Sequence, residues 1–366
     1  MLLDSYDLDF LKLCGIARYM PCKLAGKYNL QSFTKERAET LIDVNYIKEV
    51  KAERKCYRLT TRGRDLLRTL GYEFPDDART HTKGSIFNRR VINADIDMIM
   101  HGAGMNIFAE TMEGLDESDC TYIPSLTVRA ATQSKVLAGT KFYGILRIGD
   151  TAYVIYYTDE KAGGIYPEYE HQIFTGLVSG MTSVRKLVIV MAGESVEGLV
   201  STVFPDNQPK LQYGLVPFSK ILERWSYDVC FLPMNTDGIM QLKLLGRQYI
   251  RDDVISRFAD MEPPMKLNAC DGVSDGMSYI VGLDMNISRV RKALNQSLRA
   301  DVTPTIICLP YQRDMYKEMA LKDKFPSTIK LRIINQDRFI EHFPELLQQF
   351  EPPQPVRHKD GTFVEI

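Results

Sequence analysis

The chain of 366 residues contains no apolar run long enough to cross a bilayer. Its longest, around residues 187–192, is of strand length, so no contact with a membrane is expected. The opening MLLDSYDLDF is acidic and lacks a basic stretch followed by an apolar one, which argues against a secretory signal. The seven cysteines, Cys14, Cys22, Cys56, Cys120, Cys230, Cys270 and Cys308, are odd in number and scattered. No CxxC occurs, so neither a disulfide framework nor a thiolate metal site is expected. Reduced, mostly buried thiols in a cytoplasmic protein fit this usage. The five histidines are equally dispersed and show no metal-ligand spacing. A phosphate loop of the GxxxxGK[ST] type is missing, as are HExxH and DxDxDG. Gly102-Ala103-Gly104 does not follow a strand and opens no dinucleotide fold. No catalytic residue, metal or cofactor is therefore assigned.

What is present is ordinary globular composition, 45% hydrophobic and 25% charged, with enough length for two or three domains. Charge is the uneven quantity. Lys48, Lys51, Arg54, Lys55, Arg58, Arg62, Arg64 and Arg68 lie in one short stretch opposed only by Glu49, Glu53 and Asp65. That stretch is net +5 in a chain that is net −1. Positive charge gathered in one small unit is the footprint of a nucleic-acid-binding module.

The surrounding pattern agrees. Helical spacing over residues 7–19 is followed by Pro21 and a short helix carrying Leu24, Ala25 and Tyr28. A turn at 29–32, with Ser32 as cap, leads into a helix over 33–43. That helix buries Ala38, Leu41 and Ile42 and exposes Lys35, Glu36, Arg37, Glu39 and Thr40. Two β-type segments, 46–50 and 56–59, are joined by Lys51-Ala52-Glu53-Arg54-Lys55. A last helix starts at Thr60 or Thr61 and runs through Leu70 to Gly71. This order reads as a winged helix-turn-helix over 1–71. Lys35, Arg37 and Thr40 are the expected base contacts, and Lys48, Lys51, Arg54, Lys55, Arg58, Arg62 and Arg64 the expected backbone contacts. A winged helix of this kind used for protein contact, with the basic run merely solvated, is the alternative.

Residues 72–85 read as a linker, and 86–105 as a helix opening with Arg89 and Arg90. Beyond it, strand-like and helix-like segments alternate. Strands are expected at 142–148 and 151–157 around the turn Gly149-Asp150, and at 185–192, 227–232, 277–283, 305–309 and 328–334. Helices are expected at 168–181, 196–204, 236–249, 287–299, 314–322 and 338–350. The fold class is α/β: a winged helix followed by a mixed or mostly parallel sheet with helices on both faces. We divide it into an α/β domain over 86–260 with a nuclease-like, inactive core, a continuing α/β unit over 277–350 and an extended tail over 351–366.

Asp159-Glu160-Lys161, with Asp150 before it, resembles the acidic core of metal-dependent nucleases. Nine residues of extended chain, however, separate Asp150 and Asp159 by roughly 30 Å at about 3.3 Å per residue, too far for a shared metal. Glu110 and Glu113 are surface acids in the plainer reading, and Glu168 and Glu170 with His171 form an acidic helix start. A nickase or nuclease built on Asp150, Asp159, Lys161, Glu110 and Glu113 is the enzymatic alternative. A third reading makes the α/β portion a ligand sensor, with Asn235, Asp284, Asn286, Tyr311 and Gln312 lining a crevice at the strand ends.

RLTTRGRDLL (58–67), VRAATQSKVLAGTKFYGILRIGDTAYVIYYT (128–158), YIVGLDMNISRVRKAL (279–294) and TIICLPYQ (305–312) carry a further reading. On these segments the chain resembles the replication-relaxation family of plasmids and integrative conjugative elements of Gram-positive bacteria. The resemblance implies a DNA-binding head on an α/β domain, acting in replication, mobilisation or transcriptional control of a mobile element, and supplies no catalytic residues. The expected function is sequence-specific binding of double-stranded DNA. A homodimer and a protein partner from the same element are expected with it.

Overall fold

The computed structural model describes residues 2–74, 82–108, 120–131, 137, 140–158, 165, 170, 171, 173, 184–205, 216–220, 227–347 and 351–365. It is a mixed α/β chain in two compact units, one formed by Met1–Gly104 with Gln348–Ile366 and the other by Met105–Leu347.

In the first unit, α1 (Ser5–Ala17) begins at a capping box in which Asp4 accepts from the Asp7 backbone and Asp7 from the Asp4 backbone. It buries Phe10, Leu11, Leu13, Cys14 and Ala17 and ends where Arg18 turns to φ 62. The helix expected after Pro21 is only a 3-10 turn, Cys22–Leu24, because Met20–Pro21 forms a short strand, β1. Proline is tolerated there since β1 is an edge strand. Helix α2 (Lys35–Asp43) is capped by Thr34 rather than Ser32, whose side chain is instead buried against Asp9. Strands β2 (Ile47–Lys51) and β3 (Lys55–Leu59) form an antiparallel hairpin in which Lys48 opposes Arg58 and Lys51 opposes Lys55. Helix α3 (Thr61–Thr69) is capped by Thr60. Gly63 is required by closeness: a Cβ there would lie 2.1 Å from the Tyr46 carbonyl oxygen.

Helix α4 (Gly84–Gly102) corrects the expected domain boundary at residue 86. It belongs to the first unit because its side chains are tied to that unit's core. Phe87 packs on Tyr19 with ring centroids 5.4 Å apart, Asp95 binds Lys27 Nζ at 2.7 Å and the Tyr28 hydroxyl at 2.6 Å, and His101 packs on Phe33. Segment 351–365 is tied to the start of α1. Leu3 and Ser5 donate to Val364 and Gln354, and Val356 donates back to Leu3, so Val356 and Val364 are buried.

The second unit holds two sheets. The first runs β4 (Cys120–Pro124), β5 (Gly144–Ile148), β6 (Thr151–Tyr157), β7 (Lys186–Gly193) and β8 (Asp228–Pro233) in that order. Its first three strands are antiparallel, and β6, β7 and β8 are parallel. In the second, β9 (Gly272–Ser274) pairs antiparallel with β10 (Met277–Val281), which continues in parallel through β11 (Thr303–Cys308) to β12 (Lys330–Ile333). Helices α5 (Ser125–Ala131), α6 (Val196–Val203), α7 (Thr236–Leu244), α8 (Gln248–Ser256), α9 (Ile287–Arg299), α10 (Arg313–Lys322) and α11 (Gln336–His342) surround them.

The α/β domain expected over 86–260 and the continuing unit expected over 277–350 share one core, although they carry separate sheets. Ile189, Val229, Ile280, Ile306 and Met315 share a single core, and Phe231 of β8 donates to the Met285 carbonyl at 3.1 Å. Strand alternation sorts the second sheet's faces: Ile280, Ile306 and Cys308 enter this core. Tyr279, Val281, Ile307 and Leu309 enter another, with Leu244, Ile250, Val254, Phe339 and Phe343. The single helix expected at 236–249 is two, broken where Gly246 adopts φ +72. The helix expected at 338–350 stops at His342, and Pro344 opens a 3-10 turn.

Candidate functional site

The hairpin of the first unit sets out the basic stretch in space. Its turn, Ala52–Arg54, is pinned on one side: the Glu53 backbone donates to Thr82, and its carboxylate accepts from the Gly84 backbone at 3.1 Å. Val50 and Ala52 pack toward Tyr19, Cys56, Phe87 and Val91, which fixes the hairpin's inner face. Lys48, Lys51, Arg54 and Lys55 project into solvent. Lys48, Lys51 and Arg54 make no ion pair among the described residues, whereas Lys55 lies 3.5 Å from Glu49. Arg58 stacks over the Tyr19 ring and Arg62 over the Tyr46 ring, at 5.1 and 4.9 Å from the centroids. Both rings hold the guanidinium by its face and leave edge donors for a further partner. Arg64, half-exposed on α3, completes the set, and Arg68 pairs with Asp65.

Helix α2 differs from its expected role. Arg37 does not face outward: its guanidinium binds Asp4 at 2.8 Å, Asp7 at 2.6 Å and the Gln31 carbonyl at 2.9 Å, and lies over the Tyr6 ring. Two carboxylates and a carbonyl occupy its donors, so the base contact expected of it is corrected to a tie between α2 and the start of α1. The exposed face of α2 then carries Lys35 against Glu36, Glu39 and Asp43. Thr40 bonds its own helix through the Glu36 carbonyl at 3.0 Å.

In the second unit, a crevice of about 570 Å³ lies beyond the C-terminal ends of β7, β8 and β11. Ser195 and Asn235, at its edge, cap α6 and α7 by accepting from Gly198 and Gly238. Tyr311 donates to Gln241 at 2.9 Å, and burial pushes its phenol upward. Glu197, Asp237 and Asp314 stand in the first turns of three helices, and burial raises the Asp237 carboxyl. These acids already complement the helix N-termini, so the crevice does not favour an anion. Asn235 and Tyr311 are thus brought together. Asp284, Asn286 and Gln312 are not: Asp284 pairs with Arg289, Asn286 caps α9, and Gln312 is buried against Gln241 and the Leu283 carbonyl.

The acidic alternative finds no assembled centre. Asp150 sits in the turn between β5 and β6, where its carbonyl accepts from Arg185 and Lys186. Asp159, Lys161, Glu110, Glu113 and Glu168 lie outside the described residues. Glu170 is fully buried and accepts from the Lys141 backbone and the Tyr156 hydroxyl, both at 2.7 Å. Among the described residues, no three His, Cys, Asp or Glu side chains are grouped to hold a metal ion. Likewise, none of the described helices is long and apolar enough to cross a membrane.

Comparison with known proteins finds no family model, no curated protein and no solved structure that matches this chain.

Proposed function

We propose that the protein binds double-stranded DNA through a winged helix-turn-helix in its first unit, with the β2–β3 hairpin as the wing. The observation that carries this reading is the exposed hairpin whose Lys48, Lys51 and Arg54 have no internal counter-ion among the described residues. Exposed cations on a pinned hairpin suit phosphates, which position a protein without reading sequence. Lys35 and Thr40 remain the base-facing candidates on α2. The acids around them favour a helix held at the groove's edge, so that affinity comes chiefly from Lys48, Lys51, Arg54, Lys55, Arg58, Arg62 and Arg64. Control of a mobile element's DNA, as a homodimer, is the setting we propose for this binding.

The test is retention of duplex DNA from around the protein's own gene by the full chain at about 150 mM salt, where non-specific binders hold at roughly 10⁻⁴–10⁻⁶ M. A discrete retarded band with intact DNA supports the reading. No retention refutes it, and Mg²⁺-dependent cutting replaces it with the nuclease alternative.

A second reading rests on the strand-end crevice. We propose that it admits a small ligand with an amine and an apolar body, because Glu197, Asp237 and Asp314 surround a floor of Val200, Phe204 and Met315. Such a ligand would make the DNA binder responsive to a metabolite. A thermal shift with amine-bearing compounds that disappears in Asp237→Asn supports it.

A further inference from the structure

A second cavity in the α/β unit, about 260 Å³, lies between α8, α11 and the end of β12. Its charge is opposite to that of the strand-end crevice. Arg257, Arg332 and Arg338 all line it, together with His342. One carboxylate answers them: Asp253 binds Arg257 at 2.8 Å and lies 3.3 Å from His342. Arg332 and Arg338 are exposed and make no ion pair among the described residues. Arg332 lies over the Phe258 ring, 5.8 Å from its centroid, so one face of its guanidinium is held while its donors stay open. Val254, Ile334, Phe339 and Phe343 supply an apolar floor.

We propose that this cavity binds an organic phosphate with a ring body, a single nucleotide by size and chemistry, independently of the DNA-binding hairpin. Guanidinium groups meet phosphate with paired donors, and two of the three here have no competing carboxylate. The apolar floor gives the remainder of the ligand a place that inorganic phosphate leaves wet. The volume falls just below the roughly 300–1,000 Å³ typical of ligand pockets, which restricts the site to a ligand no larger than one nucleotide. The cavity opens at the C-terminal end of β12, the edge strand of its sheet.

The site escapes a reading of the sequence because Arg257 stands far from Arg332 and Arg338 along the chain, and only the packing of α8 on the second sheet brings them together.

Calorimetric titration of the full chain with AMP, ribose 5-phosphate and inorganic phosphate tests the proposal. AMP is expected to bind most tightly. Arg332→Gln and Arg338→Gln, both exposed and so compatible with folding, are each expected to weaken it by roughly tenfold or more, the usual worth of a hydrogen bond to a charged group. Arg338→Lys, which keeps charge but loses the fork, falls between. Unfolding temperatures within a few degrees of the parent establish that each variant is folded. The Lys51, Arg54 and Lys55 triple alanine variant keeps AMP binding while its duplex DNA binding is altered, which separates this site from the hairpin. No binding of AMP at millimolar concentration, equal binding of AMP and inorganic phosphate, or unchanged binding in the folded glutamine variants would each overturn the proposal. A short single strand that displaces AMP and is lost in the same variants identifies the nucleotide as part of a strand. AMP binding that such a strand does not displace identifies a free nucleotide.

Discussion

Replacing Lys51, Arg54 and Lys55 of the hairpin by alanine should change how DNA binding responds to salt more than it changes anything else. Each phosphate neutralised by a cation releases condensed counter-ions, and log K falls against log salt by about 0.9 per contact. Lys51 and Arg54 have no internal partner among the described residues, so both contribute fully. Lys55 is shared with Glu49 at 3.5 Å, an exposed pair that removes part of its contribution. Removing the three should flatten the slope by between about 1.8 and 2.7 units. Over a fourfold rise in salt, two lost contacts mean that the variant's affinity falls roughly twelvefold less than the parent's. Fluorescence anisotropy of a labelled duplex, titrated at 50, 100 and 200 mM salt, measures both slopes. Parallel lines for parent and variant would refute the wing assignment, whatever the absolute affinities.

Three further outcomes follow from the first unit's interior. Arg37→Ala should lower stability by about 1–3 kcal/mol, because Asp4 and Asp7 lose their guanidinium, while leaving the DNA salt slope untouched; a lost sequence preference in a variant of unchanged stability would restore the base-contact role. Gly63→Ala should cost about 1–3 kcal/mol in chemical denaturation, since the new methyl group meets the Tyr46 carbonyl oxygen at 2.1 Å. An unaffected midpoint would show that α3 can shift away. Asp97 is fully buried, accepts no hydrogen bond among the described residues, and its carboxyl is pushed far above its ordinary 3.8 by burial alone. The folded chain therefore holds that proton more tightly than the unfolded one. The resulting stability is present below about pH 4 and is lost as pH rises through the folded value. Asp97→Asn should abolish that decline, and superimposable stability–pH profiles would contradict it.

Much of the architecture can be read locally. Gly149-Asp150 marks the β5–β6 turn, and the alternation of strands and helices after residue 184 follows apolar spacing that each segment carries in itself. Strands β1 and β9 are hidden, being two and three residues long and defined by partners elsewhere. The unit boundary is hidden for another reason. Helix α4 is buried over nearly all of its surface from Asn93 to Met100, so no polar stripe shows which core it joins. At the candidate interface, the sequence locates the basic hairpin but not the fate of Arg37, whose carboxylate partners lie 33 and 30 residues earlier. Charge counted along the chain does not distinguish a cation offered to solvent from one already answered.

The return of segment 351–365 to the start of α1 makes the second unit an insertion within the first. During synthesis the α/β unit is complete before the segment that covers Leu3 has emerged. Domains generally fold as units in the order they are made, but here the basic hairpin's own unit closes last. A chain still short of residue 351 would therefore carry a folded α/β unit while the hairpin's unit lacks its cover over Leu3. A cut within 351–365 would therefore uncover Leu3, far away along the sequence.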